Sequence, residues 1–283
     1  MGRSPHERGP MIQATLARRT AGTGRAGSRL NSGAGMLAVV MGRSQAERVL
    51  RQHVQTDGLL GAEALPRAAA KVDLAKPQAV LKIDRATRIQ LLEQLDRDEV
   101  RGCTKCELCH SRTQTVFGEG DAEARVLFIG EGPGQNEDEQ GRPFVGRAGE
   151  LLNKQIAAMG LQREQVFIAN VVKCRPPNNR APTPAEVDAC SGFLARQIQI
   201  IQPEAIITLG APAAKLVLKT REGITRLRGT WCEYDGLVPD GPVIPVMPTF
   251  HPAYLLRAYT PDNRQRVWSD LQQVMQRLGL DGN

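Results

Sequence analysis

"VLFIGEGPGQNEDEQGRPFVGRAGELL", Val126 to Leu152, is a strand, a glycine-rich turn and the start of a helix. The four apolar residues Val126–Ile129 suit a strand covered on both faces. Beyond the turn, Ala148, Leu151, Leu152, Ile156 and Met159 recur at helical spacing, and Gly160 ends the stripe. Ligands of such units collect at the carboxyl ends of the strands. The turn is unusual for a phosphate-binding loop because it carries Glu131, Glu137, Asp138 and Glu139.

The same alternation continues downstream. Val166–Val172 reads as a second strand, and Thr183-Pro184-Ala185-Glu186 as a capping box opening a helix to about Ile201. Ala205–Leu209 is a third strand, Ala211–Leu218 a helix and Val243–Val246 a fourth strand. Val267, Leu271, Val274, Met275 and Leu278 mark a last helix. Strand alternating with helix predicts an α/β fold: three layers, α/β/α, around a central four-stranded parallel sheet. This unit is expected over residues 101–280. Residues 45–100 read as N-terminal helices and a linker, with helices over 46–60 and 86–96 and the linker over 66–78.

Residues 1–44 hold seven arginines, one glutamate and no sustained apolar period, so they read as a disordered basic arm. The arm supplies six of the seven formal positive charges; residues 45–283 hold thirty basic and twenty-nine acidic side chains. The high pI is therefore no argument for nucleic-acid binding by the folded part. The sequence contains no apolar run of membrane-spanning length, and a cytoplasmic, monomeric protein is expected. In such a compartment, clustered cysteines point to metal or catalysis rather than to disulfides.

The glycine turn fits neither common nucleotide motif. Gln135 stands where a dinucleotide fingerprint needs glycine. Gly141 to Ala148 has P-loop spacing, but Arg147 and Ala148 replace the lysine and the Ser/Thr. Two further loops leave the same sheet edge. "NVVKCRPPNNRAP", Asn170 to Pro182, follows the second strand, and "PTFHPAYLLR", Pro248 to Arg257, follows the fourth. Asn170 and His251 are their candidate ligand-facing residues.

With "NVVKCRPPNNRAPTPAEVDAC" and "HPAYLLR", the opening stretch resembles the family 4, iron–sulfur-containing uracil-DNA glycosylases, from Cys103 to about Leu278. The resemblance implies excision of uracil from single- or double-stranded DNA, with an abasic site left behind. It implies that Phe144 stacks on the uracil ring, that Asn170 reads its Watson–Crick edge and that His251 stabilises charge at O2. The Glu131-Gly132 turn lines the base, Glu137 faces its C5 side, and Glu131, then Glu137, is the candidate for orienting water. Asn170, His251 and Glu131 are thus the catalytic set. Arg175, Arg180 and Arg257 are expected on DNA, and Lys173 with its basic neighbours reads as either a phosphate surface or a solvated loop. A competing reading is a non-catalytic DNA-binding module with a structural metal.

The cysteines run C-x₂-C-x₆₇-C-x₁₅-C through Cys103, Cys106, Cys174 and Cys190. Spacing admits zinc or iron–sulfur, with Cys109 and His110 as rival ligands. The resemblance implies a structural [4Fe–4S] cluster on Cys103, Cys106, Cys174 and Cys190, with Cys232 a bystander in a strand.

Overall fold

The computed structural model describes residues 83–235 and 243–280. The expected arm, the helix over 46–60 and the linker over 66–78 lie outside them.

Helix α1, Arg85–Leu95, is capped by Asp84, whose carboxylate accepts from the Thr87 N–H at 3.0 Å. There follow β1 (Glu119–Gly120), β2 (Val126–Gly130), α2 (Gln135–Gln140), α3 (Arg147–Ala158) and β3 (Phe167–Asn170). Then come α4 (Pro184–Ile201), β4 (Ala205–Leu209), α5 (Ala211–Val217), α6 (Ile224–Leu227) and β5 (Cys232–Tyr234). The chain continues as β6 (Ile244–Thr249), α7 (Pro252–Arg257) and α8 (Pro261–Leu278).

The sheet runs β1-β3-β2-β4-β6-β5. Its centre is the expected set of four parallel strands, β3, β2, β4 and β6. Of the two antiparallel edge strands, β1 was not foreseen, whereas β5 holds Cys232, which was expected in a strand. At two residues β1 is too short to show an alternating pattern. The fourth strand also runs on to Thr249, through Pro245 and Pro248. Proline removes a donor but keeps its carbonyl, and the Pro248 carbonyl accepts from the Gly229 N–H at 3.1 Å.

Alternate strand residues enter different cores. Leu127, Ile129, Phe167, Ala169 and Ile206 pack with Leu92 and Leu95 of α1 and Phe193 and Ile198 of α4. Val126, Phe128, Ile168, Ile207 and Met247 pack with Leu152 and Ile156 of α3 and Leu271 and Val274 of α8. Each Val, Leu, Ile, Phe or Met among them, when fully buried, contributes roughly 1.5–3 kcal/mol. These are the three layers. The register pairs Gly130 with Asn170 and Leu209 with Thr249, so the ends of all four parallel strands open on one edge.

Candidate active site

That edge holds a cavity of about 580 Å³. Glu131, Gly132, Glu137, Phe144, Asn170 and His251 all line it, as do Arg180 and Arg257. Arg175 is not among its lining residues; its guanidinium Nε donates to Asn179 Oδ1 at 2.7 Å.

The acidic turn has a structural logic. Glu137 Oε1 accepts from the N–H groups of Val145 and Gly146, both at 2.9 Å, and Oε2 accepts from that of Gly134 at 3.1 Å. One carboxylate thus gathers both ends of the turn. Asp138, 2 % exposed, accepts from the Thr113 N–H at 3.0 Å and ties the turn to the segment before β1. Glu131 is half-buried, and burial raises its pKa. Its carboxylate has no hydrogen-bond partner among the described residues and faces the cavity unclaimed.

Phe144 sits at φ 50, a left-handed conformation that a bulky side chain adopts only when its surroundings compel it. Two glycines allow this. A Cβ at Gly149 would lie 1.8 Å from the Phe144 carbonyl oxygen, and a Cβ at Gly130 would lie 2.6 Å from the Phe144 ring. The Gly130 position would also lie 2.4 Å from Asn170 Oδ1, so only glycine lets ring and amide approach each other. Arg163 was not singled out in the sequence. Its guanidinium donates to the carbonyls of Pro143 and Phe144 and pairs with Glu119 of β1 at 2.7 Å. The sequence around Arg163 does not announce this, because Phe144 and Glu119 lie 19 and 44 residues away.

Asn170 ends β3 and is 1 % exposed. Two buried side-chain oxygens among the described residues lack a partner, Asn170 Oδ1 and Thr208 Oγ1; of these residues only Asn170 lines the cavity. An unpaired buried amide oxygen is costly unless a ligand or water meets it.

His251 caps α7. Its Nδ1 accepts from the Ala253 N–H at 3.0 Å, which leaves the proton of the neutral ring on Nε2. Burial lowers its pKa to about 4, and Arg257 pushes the same way while Glu137 opposes. At neutral pH His251 is therefore an uncharged N–H donor, with its ring centroid 5.6 Å from that of Phe144.

Arg180 holds Glu186 through two hydrogen bonds of 2.9 and 2.7 Å, so its guanidinium is committed to the start of α4. The Lys173 side chain corrects both sequence readings: it is neither a phosphate surface nor a solvated loop. It is 1 % exposed and turned inward, because Asn170 O and Gln197 Oε1 accept from its Nζ at 2.9 and 2.6 Å.

Cys103, Cys106, Cys174 and Cys190 belong to one side of the core, and all are free thiols. Among the described residues, no three His, Cys, Asp or Glu side chains converge closely enough to hold a single ion. Yet Cys190 interacts electrostatically with Cys103 and Cys106, and Cys174 with Cys106 and Cys190. Four thiols on one side of the core are a donor set that suits zinc or an iron–sulfur group alike. Arg112 Nη1 donates to Cys174 Sγ at 3.1 Å and the Lys173 N–H to Cys190 Sγ at 3.3 Å, the kind of contact that stabilises ligating thiolates. Burial pushes the Cys174 thiol up to about 11, so a cationic iron–sulfur core would favour the thiolate there.

Residues 117–272 match the family model for the uracil DNA glycosylase superfamily. A type-4 uracil-DNA glycosylase from Thermotoga maritima is 45 % identical over 197 residues, covering 69 % of this chain and 99 % of that enzyme. One from Saccharolobus solfataricus is 47 % identical, covering 64 % of this chain and 84 % of the relative. A type-5 uracil-DNA glycosylase from Pyrobaculum aerophilum is 35 % identical over 35 % of this chain and 50 % of its own length.

Proposed function

The chain belongs to the uracil-DNA glycosylase superfamily, and on that premise we propose that its cavity takes a uracil turned out of DNA and that the residues around it divide the work of excision as follows. The protein is a DNA-repair hydrolase: it excises uracil by hydrolysing the N-glycosidic bond.

Phe144 stacks on the uracil ring. The Asn170 amide accepts from N3–H and donates to O4; cytosine, with an amino group and a bare N3, would leave this amide unpaired. The glycine-flanked backbone at Gly132 lets the base approach closely. As the bond from N1 to the sugar breaks, the electron pair stays on uracil and the sugar becomes oxocarbenium-like. His251 Nε2–H donates to O2, where that charge collects. A neutral donor suits the task, since Nδ1 is already held by the backbone. Glu131 favours positive charge on the sugar and orients the water whose oxygen adds to C1′; the proton that this water loses goes to the departing uracil anion. Glu137 lines the C5 side, with its carboxylate spent on holding the turn. Arg257 at the cavity wall and Arg175 on the neighbouring loop meet phosphates; Arg180 does so only while keeping Glu186.

Cys103, Cys106, Cys174 and Cys190 hold a structural [4Fe–4S] cluster. When bound, the cluster supplies a cross-link between the segment before β1 and the loop and helix after β3. The catalytic unit spans residues 101–280, works as a monomer and resides in the cytoplasm, where free thiols persist. No helix among the described residues is long and apolar enough to cross a membrane.

The observation that carries the site assignment is the unpartnered Asn170 oxygen, buried at a cavity that Phe144 and His251 also line. The experiment is alkali-revealed strand cleavage of oligonucleotides bearing one uracil, cytosine or thymine, single- and double-stranded. Abasic sites are expected at uracil alone. A protein that binds these DNAs and leaves every glycosidic bond intact would be the non-catalytic module instead.

A further inference from the structure

Lys173 lies three residues beyond Asn170 and directly before Cys174. Its contacts reach three parts of the fold. Its Nζ donates to the carbonyl of Asn170 and to Gln197 Oε1 of α4. Its N–H donates to Cys190 Sγ, also on α4, and its carbonyl accepts from the Val116 N–H at 2.8 Å. Gln197 is fully buried as well, and its Nε2 donates to the Phe117 carbonyl at 2.9 Å.

A buried ammonium is expensive unless its protons are taken up. It therefore sits only where its acceptors are, and it holds them in return. One acceptor is the peptide oxygen of Asn170. On the other side of that peptide, the Val171 N–H donates to the Gly130 carbonyl at 2.9 Å. Both halves of the linkage that leaves Asn170 are thus fixed, which sets the direction from which its side chain enters the cavity.

We propose that Lys173 is a positioning residue for uracil recognition: its ammonium clamps the Asn170 carbonyl and so aims the Asn170 amide, while Gln197 and Cys190 of α4 hold Lys173 in place. The proposal rests on the reading of Asn170 as the residue that meets the uracil edge. It makes α4 the common support of a cysteine ligand and of the base-reading amide.

The test is a double-mutant cycle in the full chain with its cluster, using Lys173→Met, Asn170→Ala and the pair. Single-turnover uracil excision is measured together with affinity for DNA bearing a non-hydrolysable 2′-fluorinated deoxyuridine, and with iron and sulfide content. Lys173→Met is expected to slow excision by about 10–100-fold and to weaken the fluorinated DNA in parallel, with iron retained. In the Asn170→Ala background it should cost no more than about threefold, because the amide it aims is gone. A purely structural defect would multiply in full, and that result overturns the proposal. So does a Lys173→Met rate within threefold of the parent. If Asn170→Ala itself leaves excision unchanged, the reading of Asn170 fails, and the proposal with it. Should Lys173→Met lose its iron or fail to fold, Gln197→Met keeps the ammonium but removes its far anchor. That variant should slow excision about 3–10-fold, again only while Asn170 is present, and a loss that persists without Asn170 overturns the proposal.

Discussion

His251 shows how one side chain is tuned without any charged partner in contact. The Ala253 N–H occupies Nδ1, and burial disfavours the imidazolium, so the ring stays neutral well below the usual histidine range. The fold therefore favours the uncharged ring relative to the unfolded chain, where the value is 6.5. The resulting stability is fully present above pH 6.5 and is lost as pH falls from 6.5 toward about 4. The ring should titrate by NMR with a midpoint below 5, and excision should show no inflection near 6.5 from this residue. A midpoint at 6.5 would mean that the ring is solvated and the donor role unsupported. His251→Ala should lower the single-turnover rate by ~10²–10³, the usual cost of a lost anion-stabilising donor, with little change in binding to abasic product DNA.

Helix α4 supports the β3 side of the site, through Lys173 and Arg180. Thr183 Oγ1 accepts from the Glu186 N–H at 3.3 Å, and Glu186 accepts from the Thr183 N–H at 2.8 Å and from Arg180. Arg180 foremost, with the Thr183 N–H, holds the Glu186 pKa at about 2, so this lock contributes stability above 4.5 that is lost as pH falls from 4.5 toward 2. Thr183→Ala should cost about 1 kcal/mol in denaturant unfolding at neutral pH. In a Glu186→Gln background the same substitution should cost less; an equal cost there would mean that the reciprocal box adds nothing. This capping box was legible in four consecutive letters because caps are local. The parallel strands were legible too, since burial on both faces leaves continuous apolar runs. Edge strand β1 was not, being two residues long, and of β5 only Cys232 was read as lying in a strand. Lys173 was misread because its partners, Gln197 and the Asn170 carbonyl, are supplied by the folded chain; by residue type alone a lysine among arginines belongs to the surface. The candidate residues for the base emerged from three motifs at three strand ends, whereas Arg163, which holds the Phe144 turn, emerged only from the fold.

At the scale of the whole molecule, the cysteines join segments far apart in sequence. Cys103 and Cys106 precede the sheet, Cys174 follows β3 and Cys190 lies in α4, so a group bound by all four closes loops of tens of residues and should stabilise the fold accordingly. Cys174 is also four residues from Asn170, and Cys190 holds the Lys173 N–H, so losing the group should loosen the cavity as well as the fold. Cys109 lies in the short turn Glu107–His110, and Cys232 lies in β5 with its Sγ near the Thr230 carbonyl at 3.6 Å. Protein purified without air should be brown, with absorption near ~400 nm and iron and sulfide in equal amounts. Serine at 103, 106, 174 or 190 should give pale protein of lower melting temperature and slower excision, while Cys109→Ser and Cys232→Ser should keep colour and rate. Zinc without iron or sulfide would replace the cluster by a simpler metal site, and colour lost in Cys109→Ser with Cys103→Ser still brown would move one ligand to Cys109. Either result would leave the roles proposed for Asn170 and His251 standing, since neither draws on a metal for the hydrogen bonds it makes.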